Sequence, residues 1–557
     1  MRYLVVTLLA LLAAPAYAAP ADPWWRHAVI YEIYPRSFQD SNGDGVGDLN
    51  GITQRLDYLQ QLGVDAIWLT PIYPSPQVDF GYDISDYTAI DPQFGTLADF
   101  DRLVAEAKRR HIRVLMDLVL NHTSDQHAWF KAASRSRTDP KHDWYVWNDG
   151  KPGAQPLPPN NWVSLFGGSA WQWVPSLKQF YYHEFYRQQP DLNFANPAVE
   201  QAMLSVMRFW LDRGVAGYRL DAVPQLFEDP QLRDEPPLGG TNAQGDPKLS
   251  HVYTSNLPRV HEVLRRMRAL VAKYDGDRVL VGETYLPSIA ALAEWYGGAQ
   301  QDELQLPMDL QLAVHEAKDG LDAARFRRHL VALTTQLHGG QPLLVIDNHD
   351  NPRSWDRYAD GAHDAAIARV LATMLLTTPA TALLYYGEEL GMRTTPPVRK
   401  ADVRDPIGIT GWPKEKGRDG ERTPMQWDAS NAQAGFSTHA SWLPVPEGST
   451  TLNVQAELAD PGSLLSWHRK LIALRRMPAL HDGRITMLDE QNPSVLVYLR
   501  TAGKRSVLVA LNMTAQPQQL ALPQAITTLL TDDPALQQAK TATLTIAPYA
   551  SLVAELR

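Results

Sequence analysis

The 557-residue sequence contains no cysteine. Disulfides, thiolate catalysis, iron–sulfur clusters and Cys-type zinc sites are therefore excluded, and metal or nucleophile roles fall to Asp, Glu, His or Ser. An excess of positive charge is also missing: 52 Lys and Arg against 62 Asp and Glu leave a net charge of −10. That balance argues against a nucleic-acid or anionic-membrane partner, either of which favours a basic face. Long apolar runs are absent beyond the N-terminus, and no closely spaced histidine pair of the HExxH type speaks for a zinc hydrolase. A hydrophobic share of 44% with 20% charged residues rules out a disordered or collagenous chain. What the chain has in quantity is 16 Trp, 22 Tyr and 41 Pro. The proline share exceeds the usual ~5% and points to many ordered loops. Rings on loops suit ligand stacking, though core and loop packing is their plainer use.

Residues 1–18 read MRYLVVTLLALLAAPAYA. One Arg, an apolar run from Leu4 to Ala14 and the small residues Ala16 and Ala18 fit a secretory signal cleaved after Ala18. The run is shorter than the ~20 residues a membrane span needs. The expectation is an exported protein, periplasmic or secreted, with no membrane attachment once residues 1–18 are removed.

Along the rest of the chain, short apolar runs alternate with helical patterns. Strands are expected at Val29–Ile33, Asp65–Leu69, Arg113–Val119, Val215–Leu220, Val279–Val281, Leu343–Ile346 and Ala382–Tyr385, with a fainter one near Leu304–Asp309. Helical periodicity covers Ile52–Leu62, ended by Gly63, then Leu97–Arg110, Val199–Arg213, Leu257–Tyr274 and Ala362–Thr377. Eight strand–helix units predict an α/β fold closed as a (β/α)8 TIM barrel. Two stretches break the rhythm: 123–195, read as an inserted subdomain after the third strand, and ~392–442, a long charged loop of the kind that is usually functional or disordered. Past ~480 the pattern is all-β, a C-terminal sandwich. The expected domains are the barrel over 19–122 and 196–479, the insert over 123–195 and the sandwich over 480–557.

Barrel enzymes place their chemistry where strands end. Here the third strand ends Asp117-Leu-Val-Leu-Asn121-His122, the fourth Gly217-Tyr-Arg219-Leu-Asp221, the fifth Gly282-Glu283-Thr284 and the seventh Asp347-Asn-His349-Asp350. A lone Asp at a strand end is more often a helix cap, but four such ends around one rim exceed what capping explains. Cleaving a glycosidic bond needs a proton donor and a carboxylate that attacks or steadies an oxocarbenium-like carbon. Asp221, two residues after Arg219 on one strand face, suits the ionised nucleophile. Glu283, longer and with apolar neighbours, suits a proton donor of raised pKa. Asp350, His122 and His349 can grip sugar hydroxyls.

The segments DLVLNH, GYRLDAV, GET and DNHD, with Gln189-Pro-Asp191-Leu-Asn193 as a fifth, resemble the signature regions of the α-amylase family of retaining glycoside hydrolases. IYPRSFQDSNGDGVGDLNGI, GYDISDY and ERTPMQWD resemble its oligo-1,6-glucosidase and maltase branch. The resemblance implies Asp221 as nucleophile, Glu283 as acid/base and Asp350 as transition-state stabiliser. It implies His122, His349 and Arg219 around the first glucose, Tyr82 stacked on it, Asp79 and Arg422 clamping its non-reducing end, and Phe166 and Phe185 as an apolar wall, for which plain core is the alternative. A Val directly after the nucleophile goes with α-1,6 substrates in that branch. Ala222 stands there, so α-1,4 substrates such as maltose, or sucrose, are expected to be favoured.

One further loop, Asp40-x-Asn42-x-Asp44-x-Val46-x-Asp48, places oxygen donors at alternate positions as the first part of an EF-hand does. The twelfth position is Gly51 rather than Glu, and an Asx-rich turn without metal is the alternative. In the resembling branch this loop holds Ca²⁺, which would be structural here. No organic cofactor is expected. The expected partner is a small oligosaccharide or disaccharide, and the expected assembly a monomer or homodimer. Two other functions fit the resemblance: a transglucosylase or isomerase of the trehalose-synthase kind, and a non-catalytic transporter heavy chain. The complete acid set and the lack of a span argue against the second.

Overall fold

The computed structural model describes residues 22–314, 320–522, 524–537 and 543–557. The signal-like segment 1–18 lies outside them. Among the described residues no helix is long and apolar enough to cross a membrane.

Eight parallel strands close into a barrel: Val29–Ile33, Ala66–Leu69, Arg113–Val119, Gly217–Asp221, Val279–Gly282, Leu306–Asp309, Leu343–Val345 and Thr381–Tyr385. The last pairs with the first in parallel register, Val29 opposite Ala382. Alternation along each strand divides the core in two. Ile30, Trp68, Leu115, Val281, Met308, Val345 and Leu383 fill the interior. Their neighbours Tyr31, Ile67, Val114, Tyr218, Leu220 and Leu344 face the helices. The same alternation turns Glu32, Asp117, Arg219 and Asp221 inward at the strands' C-terminal end, so the interior is apolar below and ionic above. The fourth strand enters through Gly217, at φ +147°, where an added Cβ would lie 2.0 Å from the Val279 carbonyl oxygen. Only glycine lets the fourth and fifth strands approach this closely, and these two carry Asp221 and Glu283.

The expected helix Ile52–Leu62 is two helices, Leu49–Gln54 and Leu56–Leu62, parted at Arg55. Asp48 accepts the Gly51 N–H and starts the first helix earlier than its apolar face suggested. Gly63, at φ +97°, ends the second as expected. Between the third and fourth strands the chain forms a short helix, Ala128–Ala133, and a three-stranded antiparallel sheet. Trp162, Trp171, Phe180 and Tyr182 form a core of their own beneath that sheet. Residues 392–442 hold only short elements, among them Pro406–Gly411 and Asp419–Arg422. A five-stranded antiparallel sheet and a two-stranded one end the chain. They enclose Val497, Leu508, Leu520, Leu544, Ile546 and Leu552. The other face of the larger sheet docks on the barrel's helices, with Tyr498 Oη 2.5 Å from Thr377 Oγ1.

Candidate active site

Asp221, Glu283, Asp350, Asp79, Tyr82, His122, His349, Phe166 and Phe185 all line one cavity of about 270 Å³ at the C-terminal mouth of the barrel. That is near the lower end of the ~300–1,000 Å³ of small-molecule sites. The strand ends spread over more than 200 residues of sequence are thus gathered on one rim.

Arg219 occupies the floor. Its Nη1 donates to Asp117 Oδ1 at 3.0 Å and to Asp221 Oδ1 at 2.5 Å, and its Nη2 lies 2.5 Å from Glu283 Oε1. The guanidinium sits 4.9 Å from the Trp68 ring centroid and is 1% exposed. One positive charge therefore serves three buried carboxyls. All three are pushed up by burial against the pull of Arg219: Asp117 to about 6, Asp221 to about 7 and Glu283 to about 8. Two expectations hold only in part. Arg219 pulls Asp221 toward the ionised form as expected, but burial outweighs that pull and leaves the carboxyl raised. Glu283 is raised as expected, but not in a purely apolar setting: its Oε2 accepts the Ala222 N–H at 2.9 Å and its Oε1 meets Arg219, and both contacts favour its ionised form. Burial and the nearby charges of Asp221 and Asp350 raise it. The order matters chemically: Glu283 keeps its proton longest.

Asp350 shows the opposite balance. Burial works against its ionisation, but contacts with His349, Arg418 and Arg422 outweigh it and hold the carboxyl well below its usual range. Its Oδ1 accepts from Arg418 Nη1 at 3.0 Å and Arg422 Nη2 at 2.9 Å, and its Oδ2 lies 3.2 Å from His349 Nε2. His349 and His122 are both pushed down by burial, His122 to about 3, so His122 is a neutral hydrogen-bonding group near neutral pH. His349 Nδ1 is 2.6 Å from Glu32 Oε1, and its Nε2 2.7 Å from Tyr82 Oη. The Tyr82 ring lies nearly parallel to His349, at 5.4 Å between centroids and 6° between planes.

The expected clamp of Asp79 with Arg422 is not formed. Arg422 is fully buried behind Asp350, and its Nε donates to the His349 carbonyl oxygen at 2.8 Å. The residue across the pocket from Asp79 is Arg418, whose Nη2 lies 2.7 Å from Asp79 Oδ1. Both arginines fall within one short segment, GRDGER, and spacing alone does not decide which reaches inward. Phe166 and Phe185 form a wall, their centroids 5.3 Å apart, with the Arg418 guanidinium 5.4 Å from the Phe166 centroid. Leu165, Gln225, Tyr285 and Ile407 complete the lining and escaped the sequence reading. Tyr285 directly follows Gly282-Glu283-Thr284, which is the one sequence signal that pointed to it. Gln189, noted only as part of a motif, donates to Asp79 Oδ2 at 3.1 Å and lies 3.1 Å from His122 Nε2, joining two sides of the pocket.

The Asp40–Asp48 loop lies apart from the pocket lining and is a chain of Asx turns. Asp40 accepts N–H groups of Asn42, Gly43 and Gly45 at 2.7–3.0 Å and the Ser437 hydroxyl at 2.6 Å. Asn42 caps Asp44, Asp44 caps Val46, and Asp48 takes the Ser41 and Gly51 N–H groups. The donors are hard oxygens at alternate positions, the chemistry a divalent cation such as Ca²⁺ takes.

The chain matches the α-amylase catalytic domain over residues 32–483 and the maltogenic amylase C-terminal domain over 485–553. It is 43% identical over 525 residues to a probable α-glucosidase of Rhizobium meliloti (strain 1021), covering 90% of this chain and 92% of the relative. It is 39% identical over 537 residues to the oligo-1,6-glucosidase of Parageobacillus thermoglucosidasius, covering 90% and 92%. The crystal structure of an α-glucosyl transfer enzyme superposes with a TM-score of 0.87 at 42% identity, covering 96% of this chain and 100% of the other. With the closed barrel, the appended β domain and the acid-lined pocket, these matches place the chain in the α-amylase family, as a glycoside hydrolase of its α-glucosidase group.

Proposed function

We propose that the protein is an exo-acting, retaining α-glucosidase that removes single glucose units from short α-glucosides by double displacement, favouring α-1,4 over α-1,6 links. The carrying observation is the shared guanidinium of Arg219. By holding Asp221 and Glu283 on two nitrogens of one group, at 2.5 Å each, it keeps the two carboxyls close. Retaining enzymes set the pair at ~5–5.5 Å, whereas inverting ones leave ~6.5–9.5 Å for a water. Asp221 attacks the anomeric carbon while Glu283 gives its proton to the leaving oxygen. Glu283, once ionised, then takes a proton from water, which attacks the glucosyl–Asp221 ester. Asp350 faces the positive charge that develops on the ring. The small cavity closed by Arg418 and Asp79 supports an exo mode, since a polymer cannot pass through it. The structural likeness to an α-glucosyl transfer enzyme supports a second outcome, capture of the glucosyl ester by a sugar instead of water. A product time course on maltose, isomaltose, sucrose and trehalose separates the two.

We further propose export, with residues 1–18 removed, and a structural Ca²⁺ held by Asp40, Asn42, Asp44, the Val46 carbonyl and Asp48. The loop would act on the site indirectly: Ser437 is bonded to Asp40, and the Gly45 carbonyl accepts the Trp442 N–H at 3.0 Å, so it props the segment that carries Arg418 and Arg422.

Asp221→Asn and Glu283→Gln should each lower kcat by several orders of magnitude in a folded protein, and the first-formed sugar should be the α-anomer by NMR. Near-normal turnover in either variant, or an initial β-anomer, refutes the mechanism.

The pH profile of kcat/KM should be a bell. On the acid side activity rises as Asp221 loses its proton, and on the alkaline side it falls as Glu283 loses its own. These are apparent values of an interacting pair. Arg219→Met removes the cation that favours ionised Asp221, so the acid limb should move to higher pH. A limb that stays in place or moves down contradicts the charge-sharing argument.

Ala222 should make kcat/KM higher on maltose than on isomaltose, and Ala222→Val should shift that ratio toward isomaltose by roughly 10–200-fold, the range of a methyl-scale contact. A wild-type preference for isomaltose would place the determinant elsewhere.

Excess chelator should lower the melting temperature more than it lowers turnover at moderate temperature, because an ion bound only to the folded state stabilises by mass action. An unchanged melting temperature for protein shown to have carried calcium beforehand, or no calcium by elemental analysis, leaves the loop as an Asx turn alone.

A further inference from the structure

Arg418 has three carboxylate partners, and they are not equivalent. Asp79 and Asp350 line the pocket, where sugar hydroxyls compete for their oxygens. Asp405 is fully buried outside it. Its Oδ2 accepts Arg418 Nε at 2.8 Å and the Arg418 N–H at 2.7 Å, while its Oδ1 takes Nη2 at 3.2 Å. Burial opposes its ionisation, but Arg418 outweighs that and holds the carboxyl down to about 2.

Asp405 is itself fixed by a reciprocal bond. Asp419, next to Arg418, accepts the N–H of Arg404 at 2.6 Å and of Asp405 at 3.1 Å. Two buried acids thus clasp residues 404–405 to 418–419, each holding the other's backbone. The contact is close because position 417 is glycine: at φ +76°, an added Cβ would lie 2.8 Å from Asp405 Cβ. Asp405 also caps the helix Pro406–Gly411 through the Ile407 N–H, and Ile407 lines the pocket mouth.

We propose that Asp405 is a positioning residue that keeps Arg418 across the closed end of the pocket while substrate occupies Asp79 and Asp350, and so sets the exo mode. When a sugar takes those two carboxylates, Asp405 is the anchor that stays with Arg418. Charge-assisted bonds of this geometry are about twice as strong as neutral ones. Without them the long side chain has, among the described residues, no carboxylate partner outside the pocket. The proposal rests on the exo reading given above.

The test uses wild type, Asp405→Asn and Asp405→Glu on p-nitrophenyl α-glucoside, maltoheptaoside, and maltoheptaoside whose non-reducing end is blocked as a 4,6-acetal. Wild type should cleave the free substrates and reject the blocked one. Cleavage of the blocked sugar by wild type overturns the exo reading itself, whatever the variants do. Asp405→Asn keeps an oxygen to cap Ile407 but loses the charge. It should raise KM for the glucoside about tenfold, change kcat less, and admit the blocked sugar at least about tenfold faster than wild type. Asp405→Glu should restore much of both. If Asp405→Asn, folded by circular dichroism, keeps wild-type KM and still rejects the blocked sugar, Asp79 and Asp350 suffice and the proposal is wrong. If Asp405→Asn does not fold, Arg418→Lys gives the independent reading: it keeps the charge but not the Nε and Nη geometry that Asp405 grips, and should also admit the blocked sugar. Rejection by that variant overturns the proposal too.

Discussion

One buried positive charge shared by three carboxyls sets the chemistry of this protein. Placing Asp117, Asp221 and Glu283 around Arg219 at 1% exposure leaves the cluster short of positive charge. It cannot ionise fully at low cost, so one acid must keep a proton. Glu283 is that acid: burial, with the charges of Asp221 and Asp350, raises it to about 8, above Asp117 and Asp221. Proton donor and nucleophile are thus distinguished by electrostatics rather than by residue type. The barrel makes this possible because the apolar interior beneath, with Leu115, Val281 and Met308, excludes water from below.

On the opposite wall the ratio is reversed around one carboxyl, where two cations meet Asp350. Arg418 and Arg422 both reach Asp350 Oδ1, so this carboxylate stays ionised in the same pocket where Glu283 stays neutral. Arg422 supports Asp350 from behind, and Arg418 closes the end. Both belong to the segment after the eighth strand, which has little regular structure and is shaped by side-chain hydrogen bonds: Asp405 and Asp419 accept backbone N–H groups, and the Ser437 hydroxyl donates to the Asp40 carboxylate. Between its buried apolar anchors Met425, Trp427 and Phe436, such a segment is ordered by specific polar contacts. Its conformation therefore depends on single acids to a degree that the barrel strands do not.

That difference also explains what was legible in the sequence. Strands and helices announce themselves through period 2 and period 3.6, and all eight barrel strands start within two residues of their expected positions. Strand alternation likewise puts Arg219 and Asp221 on one face of the fourth strand. The pocket residues at strand ends were legible because their positions follow from the barrel. Arg418 and Asp405 were not, because a loop without period offers no rule for which of two nearby arginines turns inward. The division of Arg219 among three acids was hidden for another reason. Arg219 and Asp221 are two residues apart, but Asp117 and Glu283 reach the same guanidinium from 102 residues before and 64 after it. The break at Arg55 was missed because the Asp48 cap and the apolar face of the helix favour different starting points.

Ala222 joins the two halves of the mechanism. It follows Asp221 directly, adopts the left-handed conformation at φ 45° and ψ 36°, and lines the pocket while giving its N–H to Glu283 Oε2. That conformation costs a β-branched residue more than it costs alanine, because the second branch crowds the backbone. A bulkier side chain here would do two things at once: narrow the space for the second sugar and strain the turn that aims an N–H at the acid. The first effect depends on the linkage and the second does not. A ratio of rates on two substrates isolates the first, whereas absolute rates mix both. The small side chain is thus a compromise between a backbone that must turn sharply to bring Asp221 and Glu283 together and a pocket that must admit a second ring.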